Sequence, residues 1–157
     1  MTSIYQDNLQ SRCPDLFNLA EYVLENANKN PTKKALEIIS KFSKYSISFE
    51  ELKNRVLKTG NALIKLGLNR NDKILLRLDN TVTFPISYLG AISVGIIPVP
   101  TSINLTEYEL MELVKILQPE AIITSKTLTT DLGNRKIISE TEIKKLSFEG
   151  DEANFER

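Results

Sequence analysis

Hydroxyl side chains make up the densest cluster of chemically capable residues in this chain. Thr124-Ser125-Lys126-Thr127-Leu128-Thr129-Thr130 sets hydroxyls around a single lysine, a composition that could face an anion. A tight phosphate nest also needs glycine, so that backbone amides can close on the phosphate, and no glycine follows until Gly133. The stretch is therefore expected to be a polar surface loop. Two smaller groups, Asp79-Asn80-Thr81 and Thr101, Ser102 and Asn104, could meet a ligand through carboxylate, amide and hydroxyl groups. The same residue types are ordinary helix caps and turn formers. No spacing in the chain suggests paired carboxylates, a hydroxyl beside a base, or a metal cluster.

Exclusions are sharper than the positive signals. The chain contains no histidine, which removes His-dependent triads, HExxH zinc sites and Cys/His zinc sites together. Its single cysteine, Cys13, lies in the polar segment SRCPD with no histidine to activate it, and reads as incidental. One cysteine in 157 residues permits no internal disulfide and fits a reducing, cytoplasmic setting. Neither GxGxxG nor GxxxxGK[ST] occurs anywhere.

Twenty basic and twenty acidic residues cancel, so no net charge steers the chain toward nucleic acid or anionic lipid. Met1 to Pro14 is polar and lacks the apolar segment of a signal peptide. The uncharged run from Asn80 to Thr106 is interrupted by Pro85, Gly90, Gly95, Pro98 and Pro100, so no membrane span is expected.

The elements that would position these groups read as a layered α/β domain with a parallel-rich sheet and helices on both faces. At its centre lies Asp72 to Pro100. Lys73 to Leu78 is a nearly unbroken apolar strand, Thr81 to Val94 a helix apolar all round, and Ile96 to Val99 a second short strand. Pro98 and Pro100 predict an edge position for that second strand. Before this core, Asn18 is placed to cap a helix to about Asn28, with Leu19, Tyr22, Val23 and Ala27 as its packed face. Ala35 to Ser40 and Tyr45 to Ser48 predict a hairpin.

Ser48 and Glu51 form a capping-box signature for a helix to about Leu66, with Phe49, Leu52, Val56, Gly60 and Leu63 inward. Glu51 and Arg55 are expected outside, Gly60 at a close approach, and Gly67 at a left-handed stop. After the core, Thr106 and Glu109 open a helix to about Gln118 with Leu110, Leu113, Val114 and Leu117 inward. Short strands are predicted at Ala121 to Thr124 and Lys136 to Ser139. The remainder shows no apolar period. The expected organisation is a leader over 1–16, one α/β subdomain over 17–148 and a tail or severed linker over 149–157. Ligands in such sheets sit beyond the carboxyl ends of the strands, which points to Asp79, Asn80, Thr81, Thr101, Ser102 and Asn104.

The succession from SISFEEL to EAIITS resembles the N-terminal region of the AMP-forming acyl-CoA synthetases, the adenylate-forming superfamily, with benzoate-CoA ligase-like members most similar. The matching residues are Phe49-Glu50, Ala62-Leu63, Leu66-Gly67, Asp72, Phe84-Pro85, Tyr88-Leu89-Gly90-Ala91, Gly95 and Pro98-Val99-Pro100. Phe17-Asn18-Leu19-Ala20 and Ala121 to Thr124 also fit.

The resemblance implies ATP-dependent carboxylate adenylation followed by thioester formation, with ATP, Mg and CoA as cofactors of a full-length relative. It carries no catalytic, cofactor-binding or metal residue onto this chain, because the phosphate loop and the C-terminal domain have no counterpart here. Two readings follow. One is the N-terminal scaffold of such a ligase, inactive alone, whose exposed apolar face meets the remainder of the ligase or a second copy. The other is a free-standing, non-catalytic binding module derived from that scaffold.

Overall fold

Four short runs rich in Leu, Ile, Val and Pro pair edge to edge, the two central ones buried on both faces and the two outer ones partly exposed. They are β3 (Lys73–Arg77), β4 (Ile97–Pro100), β5 (Ala121–Thr124) and β6 (Lys136–Ser139), in the order β4-β3-β5-β6 and all parallel. The computed structural model describes residues 15–128 and 131–149. The leader through Pro14, Cys13 included, Thr129 and Thr130, and the stretch from Gly150 fall outside the described residues. Beside the parallel sheet, β1 (Lys34–Ile39) and β2 (Lys44–Ser48) form the expected antiparallel hairpin.

Alternation along the strands divides the sheet into two apolar layers. Ile74, Leu76, Ala121, Ile123 and Ile138 point to the face covered by α3 (Phe49–Lys65), α4 (Thr83–Ser93) and α6 (Glu140–Glu149). Leu75 and Ile122 point to the opposite face, under Leu110 and Val114 of α5 (Glu107–Leu117) and Leu132. The predicted edge position of β4 is correct, and the ladder explains its prolines. Ile97 and Thr101 donate their N–H groups to Asp72 and Leu76 across the ladder, both at 2.9 Å. Pro98 and Pro100 occupy the alternate positions, where no donor toward β3 is needed.

Ser48 accepts the Glu51 amide at 3.1 Å to start α3, and the left-handed Gly67, φ 83°, follows its end. Thr106 and Glu109 form a complete capping box at α5. The Thr106 amide and hydroxyl both donate to the Glu109 carboxylate at 2.8 Å and hold it below the usual carboxylate range. The expected close approach at Gly60 is also present. A Cβ there would lie 2.6 Å from Ser93 Oγ and 2.9 Å from the Gly90 carbonyl oxygen, while one on Gly90 would lie 2.8 Å from Thr59 Cγ2.

Three expectations are corrected. The first helix is two pieces, α1 (Leu19–Val23) and α2 (Asn26–Lys29), and its buried residues are Ala20, Leu24 and Ala27. Leu19, Tyr22 and Val23 are exposed. Asn18 sets that rotation: its Oδ1 accepts the Ala20 and Glu21 amides, while its Nδ2 donates to the Ile92 and Ser93 carbonyls at the end of α4. One side chain thus caps two helices.

Arg55, expected outside, is only 4% exposed, with its guanidinium 4.1 Å from the Phe148 ring centre and 3.6 Å from Glu51. Residues after Ser139, which carry no apolar period, form α6 and run to Glu149. Ile143 and Ser147 are buried, Leu146 packs on the core, and Lys58 caps the Phe148 carbonyl at 2.9 Å.

Gly60→Ala is expected to destabilise the domain by about 1–3 kcal/mol through overpacking, more than the roughly 1 kcal/mol of helix propensity that alanine adds. Urea denaturation of the two proteins measures the difference, and an unchanged or raised midpoint would contradict the tight helix crossing.

Candidate functional site

The carboxyl ends of β3, β5 and β6 converge on one side chain, Glu140, the first residue of α6. Its carboxylate accepts from Thr81 Oγ1 at 2.9 Å and pairs with Lys144 Nζ at 2.9 Å, and Ser125 hydrogen bonds to it as well. Ser125 Oγ in turn accepts the Asp79 amide at 3.1 Å. One carboxylate therefore ties the turn after β3, the loop after β5 and the start of α6 together. Partial burial pushes the Glu140 pKa up. The hydrogen bonds from Lys144, Ser125 and Thr81, with the Lys144 charge, outweigh that and bring it down to about 2.

This network absorbs much of what the sequence marked as ligand-facing. Thr81 is bonded to Glu140, the Asp79 backbone to Ser125, and Asn80 is exposed beside them. After β4, Thr101 bonds Leu76 across the ladder and Ser102 Oγ accepts the Asn104 amide at 3.2 Å, an ordinary turn. The two predicted groups stay on separate loops, one after β3 and one after β4.

Around the loop after β5 lies a cleft of about 610 Å³ lined by Thr124, Ser125, Lys126, Ser139, Glu140 and Glu142 among others. Lys126 is the one cation in that lining, set against two carboxylates, so the cleft does not favour an anion. Among the described residues no group of three His, Cys, Asp or Glu side chains could hold a metal ion. No Gly-rich loop follows any strand, so the residues present do not fit a nucleotide triphosphate with its metal.

Arg77 escaped the sequence reading because it sits inside the apolar run ILLRL, Ile74 to Leu78. The lone charge in that run is the signal that could have marked it. It ends β3 on the α5 side of the sheet and is 4% exposed. Its Nη2 donates to the Leu105 carbonyl at 2.7 Å, and its buried Nε has no hydrogen-bond partner among the described residues. A buried guanidinium satisfied by one neutral carbonyl is costly, of order several kcal/mol before compensation.

Comparison with known proteins places this geometry. The sequence profile of the family described as AMP-binding enzyme matches residues 23–156. The 4-hydroxybenzoate--CoA/benzoate--CoA ligase of Rhodopseudomonas palustris is 43% identical over 61 residues, 39% of this chain and 11% of the ligase. A benzoate CoA ligase structure from Burkholderia xenovorans superposes with TM-score 0.77 at 25% identity, covering 89% of this chain and 30% of that one. The Klebsiella oxytoca NpsA N-terminal subdomain in complex with 3-hydroxybenzoyl-AMSN superposes with TM-score 0.78 at 16% identity, covering 90% and 34%. The chain thus spans about a tenth of the curated relative and about a third of the solved ones.

Glu140→Gln keeps the shape and removes the charge, and is expected to cost about 1 kcal/mol at pH 7, discounted for its partial exposure to solvent. With a folded pKa of about 2 against an ordinary 4.5, the charge stabilises the fold above pH 4.5. That contribution fades as pH falls from 4.5 toward 2. Denaturation midpoints of both proteins across this window test it, and a gap that stays constant to pH 2 would remove Glu140 from the account.

Proposed function

The chain belongs to the AMP-binding enzyme family, as the N-terminal region of an AMP-forming ligase, and from that premise we propose that it serves as the scaffold subdomain of an acyl- or aryl-CoA ligase. The observation that carries this reading is the match of residues 23–156 combined with superposition on solved ligases across nearly the whole fold. In this role the chain supplies a rigid sheet with its carboxyl edge tied by Glu140. Carboxylate adenylation and thioester formation, with ATP, Mg and CoA, belong to the full ligase. The 157 residues contain neither a glycine-rich phosphate loop nor a metal-holding carboxylate set among the described residues.

The surface supports a covered rather than a solitary role. Leu16 (69% exposed), Phe17, Leu19, Tyr22 (66%) and Val23 form a run of large apolar side chains on the outside of α1, with the Phe17 and Tyr22 rings 5.7 Å apart. Such a run marks an interaction surface, and the remainder of a ligase is the partner this reading assigns to it. The reading also carries a cytoplasmic setting. Among the described residues no helix is long and apolar enough to cross a membrane.

Carboxylate-dependent ATP–pyrophosphate exchange is expected to be absent from the purified 157-residue chain with benzoate or any aliphatic acid. Exchange that requires the added carboxylate would overturn the scaffold reading and show a complete adenylation centre.

A further inference from the structure

The connections leaving neighbouring strands diverge at one point of the sheet. β3 turns into α4, on the face of Leu76, whereas β4 turns into α5 on the face of Leu75. The loop after β5 also sends Leu128 and Leu132 to the Leu75 face. Divergence of this kind marks the region beyond the strand ends where open α/β sheets take ligands. Arg77 ends β3 at that point.

Its surroundings are unusual for a buried charge. Arg55, equally buried, has the Glu51 carboxylate at 3.6 Å and the Phe148 ring beneath it. Among the described residues Arg77 has no carboxylate partner; its Nη2 donates to the Leu105 carbonyl, and its Nε, like that of Arg55, is buried without a hydrogen-bond partner. If the position needed only filling, an apolar side chain would fill it better than a guanidinium. Thr124, its partner in register on β5, is buried beside it and carries a hydroxyl.

We infer that Arg77 anchors an oxyanion site at the carboxyl end of β3, which takes a carboxylate or phosphate group between loops 101–105 and 125–128. The anion pairs with Nε and one Nη in the fork geometry that suits planar oxyanions, displacing the Leu105 carbonyl. Thr124 Oγ1, now bonded to the Lys126 carbonyl at 2.9 Å, lies on the same face as a further donor. The inference concerns this chain's own residues and stands whether or not the ligase reading holds.

The test uses the whole 157-residue chain, 15N-labelled, with sodium benzoate and inorganic phosphate as separate probes and sodium chloride at matched ionic strength as control. The Arg77 Nε–H resonance is identified by its loss in Arg77→Lys. It is expected to shift saturably in the millimolar range with at least one oxyanion and not with chloride. Saturation by benzoate alone defines a carboxylate site, and saturation by phosphate, alone or as well, a general oxyanion site. Amide shifts of Leu105 and Ser125 report affinity in the variants, expected about tenfold weaker in Arg77→Lys because the fork is lost. The inference is overturned by a resonance unmoved by both oxyanions, by shifts that chloride reproduces, or by unchanged affinity in Arg77→Lys.

Discussion

The crossing of α3 and α4 is the constraint on which the rest of this domain depends. Both helices must lie in one layer against Ile74, Leu76 and Ile123, and α4 is apolar on nearly every side, so it can tolerate no wet gap. Gly60 and Gly90 let the two backbones meet closely, with no room for a Cβ on either. Hydroxyls at the crossing bond to their own helices: Thr59 Oγ1 donates to the Arg55 carbonyl at 2.8 Å and Ser93 Oγ to that of Gly90 at 2.7 Å. Those two hydroxyls are satisfied within their own helices, whereas the buried Thr83 and Ser87 hydroxyls of α4 have no hydrogen-bond partner among the described residues. Asn18 then seals the far end of α4, which fixes where α1 can sit.

From that packed layer the chemistry of the opposite rim follows. With α4 held, the turn that starts it presents Thr81 at a set height above the sheet, and α6, docked on α3, presents Glu140 to it. The carboxylate stays ionised because three protein donors converge on it, although partial burial alone would favour its neutral form. A rim tied in this way holds the turn after β3, the loop after β5 and the start of α6 in one arrangement.

How much of this the sequence revealed depends on how local the cause is. Caps at Ser48 and Thr106, the stop at Gly67, the edge prolines of β4 and the close approach at Gly60 are local, and each is where spacing put it. The failures have tertiary causes. Leu19, Tyr22 and Val23 look like a packed face until Asn18 reaches across to α4 and rotates Ala20 and Leu24 inward instead. Arg55 reads as a surface residue until Phe148, far along the chain, stacks on it. α6 carries too few apolar residues to show a period. Ile143, Leu146 and a buried Ser147 suffice because α3 already offers a complementary surface. The convergence on Glu140 joins residues from three separate loops, and no short spacing encodes it.

Glu140 and Arg77 show two different treatments of charge at the same end of the sheet. Glu140 is a partly buried anion whose charge is answered fully from within, by two hydroxyls and a lysine. Arg77 is a deeper cation answered by one carbonyl, although Glu140 lies at the same rim. The two do not pair because alternation sends Arg77 to the α5 face, whereas α6, which carries Glu140, packs on the other. A strand of odd or even length would have decided this either way. With Arg77 as its last residue, β3 leaves a buried guanidinium on the α5 face at the carboxyl end of the sheet, where the connections from neighbouring strands diverge.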